Sequence, residues 1–200
     1  MSTMIMYGNN RTSSILTDCR ITCTMPNDEI KYYERGTKIK KFNKTIIGII
    51  GDYKYAEKIY GCMKNSMYTY FKDSKSYHNA EYETLYDLCV SYARQYNKKF
   101  SERQGCEICI TGINKENKIV MTYFHTNDFV FHSIIPTNKE YATKAFCNYN
   151  EPKIDQKVYN IVNNTKENMI SYELHHLIME DIIPVDNTVN ENYCFETISL

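Results

Sequence analysis

No stretch of this chain is rich in proline, glycine or serine: its four prolines and seven glycines are scattered over 200 residues. That scatter leaves no linker to divide the chain, and it predicts one domain with a substantial core over residues 1–200. A dominant charge is missing too, since 24 Lys+Arg balance 24 Asp+Glu. Nothing electrostatic therefore favours nucleic acid or an anionic membrane surface, and neither is expected as a partner. Long apolar runs are also absent. The longest, "TIIGII" and "FVFHSII", fall far short of the ~20 residues a membrane helix needs. The N-terminus shows no basic region followed by an apolar one, so a soluble, cytoplasmic protein is expected.

Cysteine is not scarce, with eight in the chain, yet the sequence reads as neither small nor secreted, and the cysteines sit inside apolar-patterned segments. Reduced, mostly buried thiols are the expectation. Cys106 and Cys109 form a CxxC within "CEICITGI", which reads as a strand whose residues three apart face opposite sides. No second CxxC or His pair stands at zinc-ligand spacing, so neither a metal nor a cofactor is expected. His175 and His176 fall on a helical segment, where adjacent residues point about 100° apart and share a ligand poorly.

Short β-rich runs separated by turn residues open the chain: "STMIMY", "SSILTD", "RITCTM", "TKIKKF" and "TIIGII". From Asp52 the period changes to a helical one, with Tyr53, Ala56, Ile59, Tyr60 and Met63 on one face behind Gly51. Leu85, Leu88, Cys89, Tyr92, Ala93 and Tyr96 predict a second helix over about Glu81 to Lys98. Then "CEICITGI", "KIVMTYF" and "DFVFHSII" read as strands, the first two joined by the polar turn "NKEN". A third helix is expected near Lys139 to Tyr149 and a fourth near Lys166 to Glu180, before a last strand at "NYCFETI". Strands, two helices, strands, two helices and a strand imply an α+β domain with helices on the outer faces of packed antiparallel sheets.

Several short motifs occur in one order along this frame. Ser2-Thr3-Met4 begins the chain, and Asp18-Cys19-Arg20 follows with Asp18 sixteen residues beyond Ser2. Lys38 and Gly51 lie in "TKIKKFNKTIIGIIGDYKYAEKIYGCM", with Ala56 in the helix after Gly51. "CEICITGINKENKIVMTYF" and "PTNKEYATKAF" come later. Together these resemble the N-terminal nucleophile hydrolases of the proteasome β-subunit and HslV type. Members begin with Thr-Thr-hydrophobic, carry an Asp-x-Arg-like motif, a strand lysine, a glycine that opens the first helix, a strand ending in "ITG" and a Gly-Ser-Gly helix entry. The resemblance covers most of residues 2 to 150, and it implies a four-layer αββα sandwich.

It also implies a mechanism. Ser2, small enough that removal of Met1 is expected to expose it, would attack an amide carbonyl. Its own α-amine, whose pKa of about 7.7–8.0 lies near working pH, would take the proton. Lys38 would favour the alkoxide, Asp18 would hold Lys38 charged and oriented, and the Gly51 N–H would stabilise the oxyanion. Thr137 would supply the hydroxyl that supports the amine. Relatives work as homo-oligomeric rings fed by an ATP-driven unfoldase, so a ring, a possible ATPase partner and a peptide or protein substrate are implied. Two further readings stand beside this one: an inactive, ring-forming subunit with a structural or regulatory role, and an amide hydrolase acting on small molecules.

The chain departs from the family pattern in three places. Ser2 replaces the usual Thr, Pro136-Thr137-Asn138 replaces Gly-Ser-Gly, and the late aspartate is either Asp181 or Asp186. Outside the resemblance, each residue has a plainer role: Lys38 with Lys40 on the solvated face of a strand, Asp18 as a turn cap, Gly51 as a tight strand-to-helix junction.

Overall fold

A computed structural model of the chain describes residues 3–24, 30–33, 38–70, 81–97, 105–147, 151–165, 171–184 and 192–200. Strand β1 (Met4–Gly8) turns back into β2 (Thr12–Asp18). Asn9 closes that turn, its Oδ1 accepting the backbone N–H groups of Arg11 and Thr12 at 2.9 and 3.0 Å, as short Asx side chains commonly do. A small hairpin of β3 (Ile21–Thr24) and β4 (Ile30–Tyr33) follows. Next come β5 (Ile39–Phe42) and β6 (Thr45–Ile50), joined at Asn43, which holds φ 52°. Asn tolerates that left-handed geometry better than most residues.

Helix α1 (Tyr53–Tyr70) starts where Asp52 Oδ1 accepts the N–H of Lys54 and of Tyr55, at 2.9 and 3.2 Å. That is an N-cap satisfying donors the helix cannot. Helix α2 (Tyr82–Asn97) packs beside it. Strands β7 (Glu107–Ile113), β8 (Ile119–His125), β9 (His132–Ile134) and β10 (Ala142–Phe146) follow, then α3 (Glu151–Asn164), α4 (Ser171–Ile182) and β11 (Tyr193–Ser199).

Two antiparallel sheets result. One has the order β10-β1-β2-β11, the other β5-β6-β7-β8-β9. Three apolar clusters account for the long buried runs. Ile47, Ile49, Ile108 and Ile110 meet Ile59, Met63, Leu85 and Cys89 of α1 and α2. Met4, Met6 and Ile15 of one sheet meet Ile46, Ile50 and Met121 of the other. Ile5, Tyr7, Leu16 and Ala145 meet Val158 of α3 and Ile178 of α4. Alternate residues of β1 and β6 thus enter different clusters, so both faces are apolar and "MIMY" and "TIIGII" need no polar alternation. Gly48 lets the sheets approach: a Cβ there would stand 2.5 Å from Met4 Sδ.

The succession of strands and helices is the expected one, but the third helix is displaced. Residues 142–146 of the expected Lys139–Tyr149 helix form β10, paired with β1 from Gly8↔Ala142 to Met4↔Phe146. Ala145 faces the helices while Phe146 faces the other sheet. Tyr141, Ala142, Ala145 and Phe146 fit a helical stripe on paper, and a strand buried on both sides gives no alternation to contradict it. Among the described side chains of the actual helix, Glu151–Asn164, only Ile154, Val158 and Val162 are buried. The fourth helix is described from Ser171, and the earlier part of its expected span lies outside the described residues. "DFVFHSII" contributes only the three-residue β9. Among the described residues, no helix is long and apolar enough to cross a membrane.

Candidate active site

Strand order brings the ends of β1, β2, β5 and β6 together. Asp18, the last residue of β2, is fully buried, and Lys38, just before β5, is 5% exposed. Lys38 Nζ donates to Asp18 Oδ2 at 2.9 Å. The same carboxylate accepts the Thr3 N–H on Oδ1 at 3.0 Å and the Arg20 N–H on Oδ2 at 3.1 Å. Asp18 therefore ties the backbone at the start of β1 to the ammonium of Lys38. Thr17 Oγ1 adds a 2.7 Å bond to the Thr3 carbonyl.

Burial raises the Asp18 carboxyl above its usual range and lowers the Lys38 ammonium below its own; the charge of each partner opposes the shift in the other. A lysine held this way is a fixed cation more easily persuaded to give up its proton than a solvated one. Lys40 and Lys41, by contrast, are exposed, so the solvated-face reading fits them and fails for Lys38. Tyr60 of α1 fixes the lysine's backbone, its hydroxyl lying 2.9 Å from the carbonyls of both Lys38 and Ile47. The Lys38 carbonyl also accepts the Ile49 N–H at 2.9 Å.

That last bond places Gly51 two residues past Ile49, at the same end of the sheet as Lys38. Gly51 adopts φ 115°, and a Cβ there would lie 2.7 Å from the Gly105 carbonyl. Both facts demand glycine at this strand-to-helix junction.

Thr137 is not brought to this group. The β1–β10 register runs antiparallel, and Asn10 N–H donates to the Asn138 carbonyl at 2.9 Å, so Thr137 stands at the Gly8 end of β1. Thr3 is at the other end, roughly 17 Å along the strand at about 3.4 Å per residue. The chain leaves the Asp18 end of the sheet after Phe146, not before Ala142. Asp181 is also elsewhere, exposed on α4 with Lys157 Nζ 3.4 Å away. Ser2, the expected nucleophile, and Asp186 lie outside the described residues.

Two features at the site escape sequence reasoning. Tyr60 reads as one more apolar helix residue, and nothing in "YKYAEKIYGCM" reveals its bonds to the sheet. Cys19 and Cys194 are far apart in the chain, yet both lie close enough to Lys38 to act on its charge. The CxxC divides as expected, Cys106 packing toward the helices and Cys109 between the sheets. So does the histidine pair. His175 is buried with Nε2 2.7 Å from Tyr7 Oη, whereas His176 is exposed and 3.1 Å from Glu180.

No protein-family model matches the chain, and no curated protein sequence matches it. Among solved structures, it is similar to a eukaryotic HslV from Trypanosoma brucei, with a TM-score of 0.61 over 99% of each chain and 12% sequence identity. The two antiparallel sheets and four helices described here are therefore those of the HslV fold.

Proposed function

We propose that this chain is an N-terminal nucleophile hydrolase with a four-layer αββα architecture, cleaving amide bonds of peptides through an acyl-enzyme on Ser2 after loss of Met1. The three apolar clusters, one between the sheets and one beneath each helix pair, support the layering. The observation that carries the chemistry is the Asp18 carboxylate, which holds both Lys38 Nζ and the N–H of Thr3, the residue bonded to Ser2. A nucleophile that carries its own base needs its backbone fixed against a cation, and this is the bond that does so.

In the proposed cycle, Ser2 Oγ attacks the substrate carbonyl and the free α-amine accepts the hydroxyl proton. Lys38 stabilises the developing negative charge on Oγ. The Gly51 N–H, beside the N-terminus of α1, receives the oxyanion, where fixed donors are worth far more than in water. The amine then returns the proton to the departing amino group, and water releases the acyl chain by the reverse path. A ring of identical subunits, an ATP-driven unfoldase and a cytoplasmic setting belong to the same reading and rest on the family resemblance.

Turnover of fluorogenic peptides by Ser2→Ala and Ser2→Thr variants tests it. Ser2→Ala is expected to abolish turnover and Ser2→Thr to retain a measurable part; undiminished activity in Ser2→Ala removes Ser2 from the mechanism. One observation favours a second reading, a subunit that keeps the fold without catalysis: Thr137 stands at the far end of β1 from Thr3. Inactivity of the wild-type chain toward peptides, with its N-terminal Ser2 exposed, is the result that reading expects.

A further inference from the structure

Cys19 follows Asp18 directly, and its N–H donates to the Asn192 carbonyl at 2.9 Å as β2 runs out beside β11. Cys194 stands opposite Thr17 in that pairing, which makes Cys19 and Cys194 diagonal neighbours on one face. Their thiols are hydrogen-bonded to each other, both are partly exposed and outside any disulfide, and both act on the charge of Lys38. Two thiols in contact beside a fixed cation are set for two-electron oxidation. We propose that Cys19 and Cys194 form a reversible disulfide, with hydrogen peroxide as oxidant, and that its closure displaces Asp18 and switches the site off. The disulfide stands on its own geometry; the loss of activity rests on the proposed hydrolase function.

The Cys194 thiol is held protonated by its hydrogen bond to Cys19 and by burial, so the first attack falls to Cys19. The Cys19 thiolate attacks one peroxide oxygen and the O–O bond breaks. The departing hydroxide takes up a proton, giving Cys19 sulfenic acid and water. Cys194 sulfur then attacks Cys19 Sγ, the S–O bond breaks, and the leaving hydroxide takes the Cys194 proton. Two thiols and one peroxide become one disulfide and two waters, with both electrons passing from sulfur to oxygen.

Closure cannot leave the backbone where it is. Diagonal neighbours in an antiparallel pair lie about 7–8 Å apart, whereas disulfides take Cα separations of about 4.4–6.8 Å and an S–S bond of about 2.05 Å. Cys194 is inside β11, but Cys19 lies just past the end of β2, so Cys19 is the side that moves, by roughly 1 Å on those ranges. Its neighbours are Asp18 and Arg20, whose 3.1 Å bond stretches with it. A shift of that size at a positioning group lowers turnover by about 10²-fold.

Peptide mapping of the full-length chain after peroxide, with free thiols alkylated and no reductant, tests the proposal. The expected result is a Cys19–Cys194 linked peptide that dithiothreitol removes and that Cys19→Ser or Cys194→Ser prevents. Hydrogen exchange of the same sample is expected to be faster at the amides of Thr3 and Arg20 in the oxidised wild type and unchanged by peroxide in Cys194→Ser. Peptidase activity is expected to fall about a hundredfold with oxidation and return on reduction. Absence of the linked peptide, a different cysteine pair, or unaltered exchange overturns the proposal whether or not the chain is active. A linked peptide with altered exchange in a chain that never cleaves peptides upholds the thiol pair and counts against the hydrolase reading alone.

Discussion

Replacing Lys38 by methionine removes one half of a buried ion pair whose partner, Asp18, has no exposure to water. The carboxylate keeps the N–H groups of Thr3 and Arg20, but its counter-charge is gone. Breaking a buried pair from one side costs about 3–5 kcal/mol, a large share of the ~5–15 kcal/mol that stabilises an ordinary domain. Lys38→Met is expected to lower the unfolding free energy measured in urea by that much at pH 7. The double variant Asp18→Asn with Lys38→Met leaves no orphaned charge, so it is expected to be more stable than Lys38→Met alone by at least ~1 kcal/mol. The single variant carries a second signature. Its Asp18 must bind a proton to stay buried, a folded-state pKa above the unfolded one, so its deficit shrinks as pH falls toward the carboxylate range and grows as pH rises. Urea titrations followed by circular dichroism at several pH values measure all three. A Lys38→Met variant within ~0.5 kcal/mol of wild type at pH 7, with no pH-dependent deficit, refutes the buried-pair argument. Activity comparisons at Lys38 consequently belong at temperatures where the variant is fully folded.

His175 makes stability depend on pH by itself. Burial pushes its pKa from the ordinary 6.5 down to about 4, so the unfolded chain binds the proton first and stability falls as pH drops from 6.5 to 4, by about 3 kcal/mol at ~1.36 kcal/mol per pH unit; a His175→Leu variant is expected to lose that slope in urea titrations. Gly51→Ala is expected to lose about 1–3 kcal/mol in the same measurement, because alanine disfavours φ 115° and its Cβ meets the Gly105 carbonyl; a neutral substitution contradicts the strand-to-helix geometry. Tyr60→Phe withdraws the hydroxyl from the Lys38 and Ile47 carbonyls and is expected to cost about 1–2 kcal/mol. Lys38 keeps its bond from Ile49, so the expected activity loss is modest, and a collapse of turnover would assign Tyr60 a larger positioning role.

The fold is legible in this sequence because its strands and helices come in blocks, because "TIIGII" is a short continuous apolar run, and because the Leu85–Tyr96 stripe fits the helical period. Legibility failed at "YATKAF". A strand covered on one face by helices and on the other by a second sheet has no solvated side, so its small and aromatic residues passed for a helical stripe. The helix entry therefore lies after Phe146, and Thr137 stands at the Gly8 end of β1, away from Thr3. Helix α3 is hard to see in the sequence since Ile154, Val158 and Val162 are the only buried residues among its described side chains, in a polar segment, although Pro152 in the first turn is a usual start signal. At the candidate site, the family resemblance points to Asp18 and Lys38, and their burial against each other cannot be read from the sequence. Contacts made across sheets, such as Tyr60 to Lys38 and Cys19 to Cys194, leave no local trace in a sequence.

The proposed function makes Ser2, freed of Met1, a nucleophile beside Lys38 and Asp18. Intact-mass analysis of the purified chain with and without a β-lactone tests it most directly, with Ser2→Ala as the control. The expected result is a chain lacking Met1 that gains one inhibitor mass, mapped to Ser2 and absent from the variant. A chain that retains Met1 and gains no adduct contradicts it.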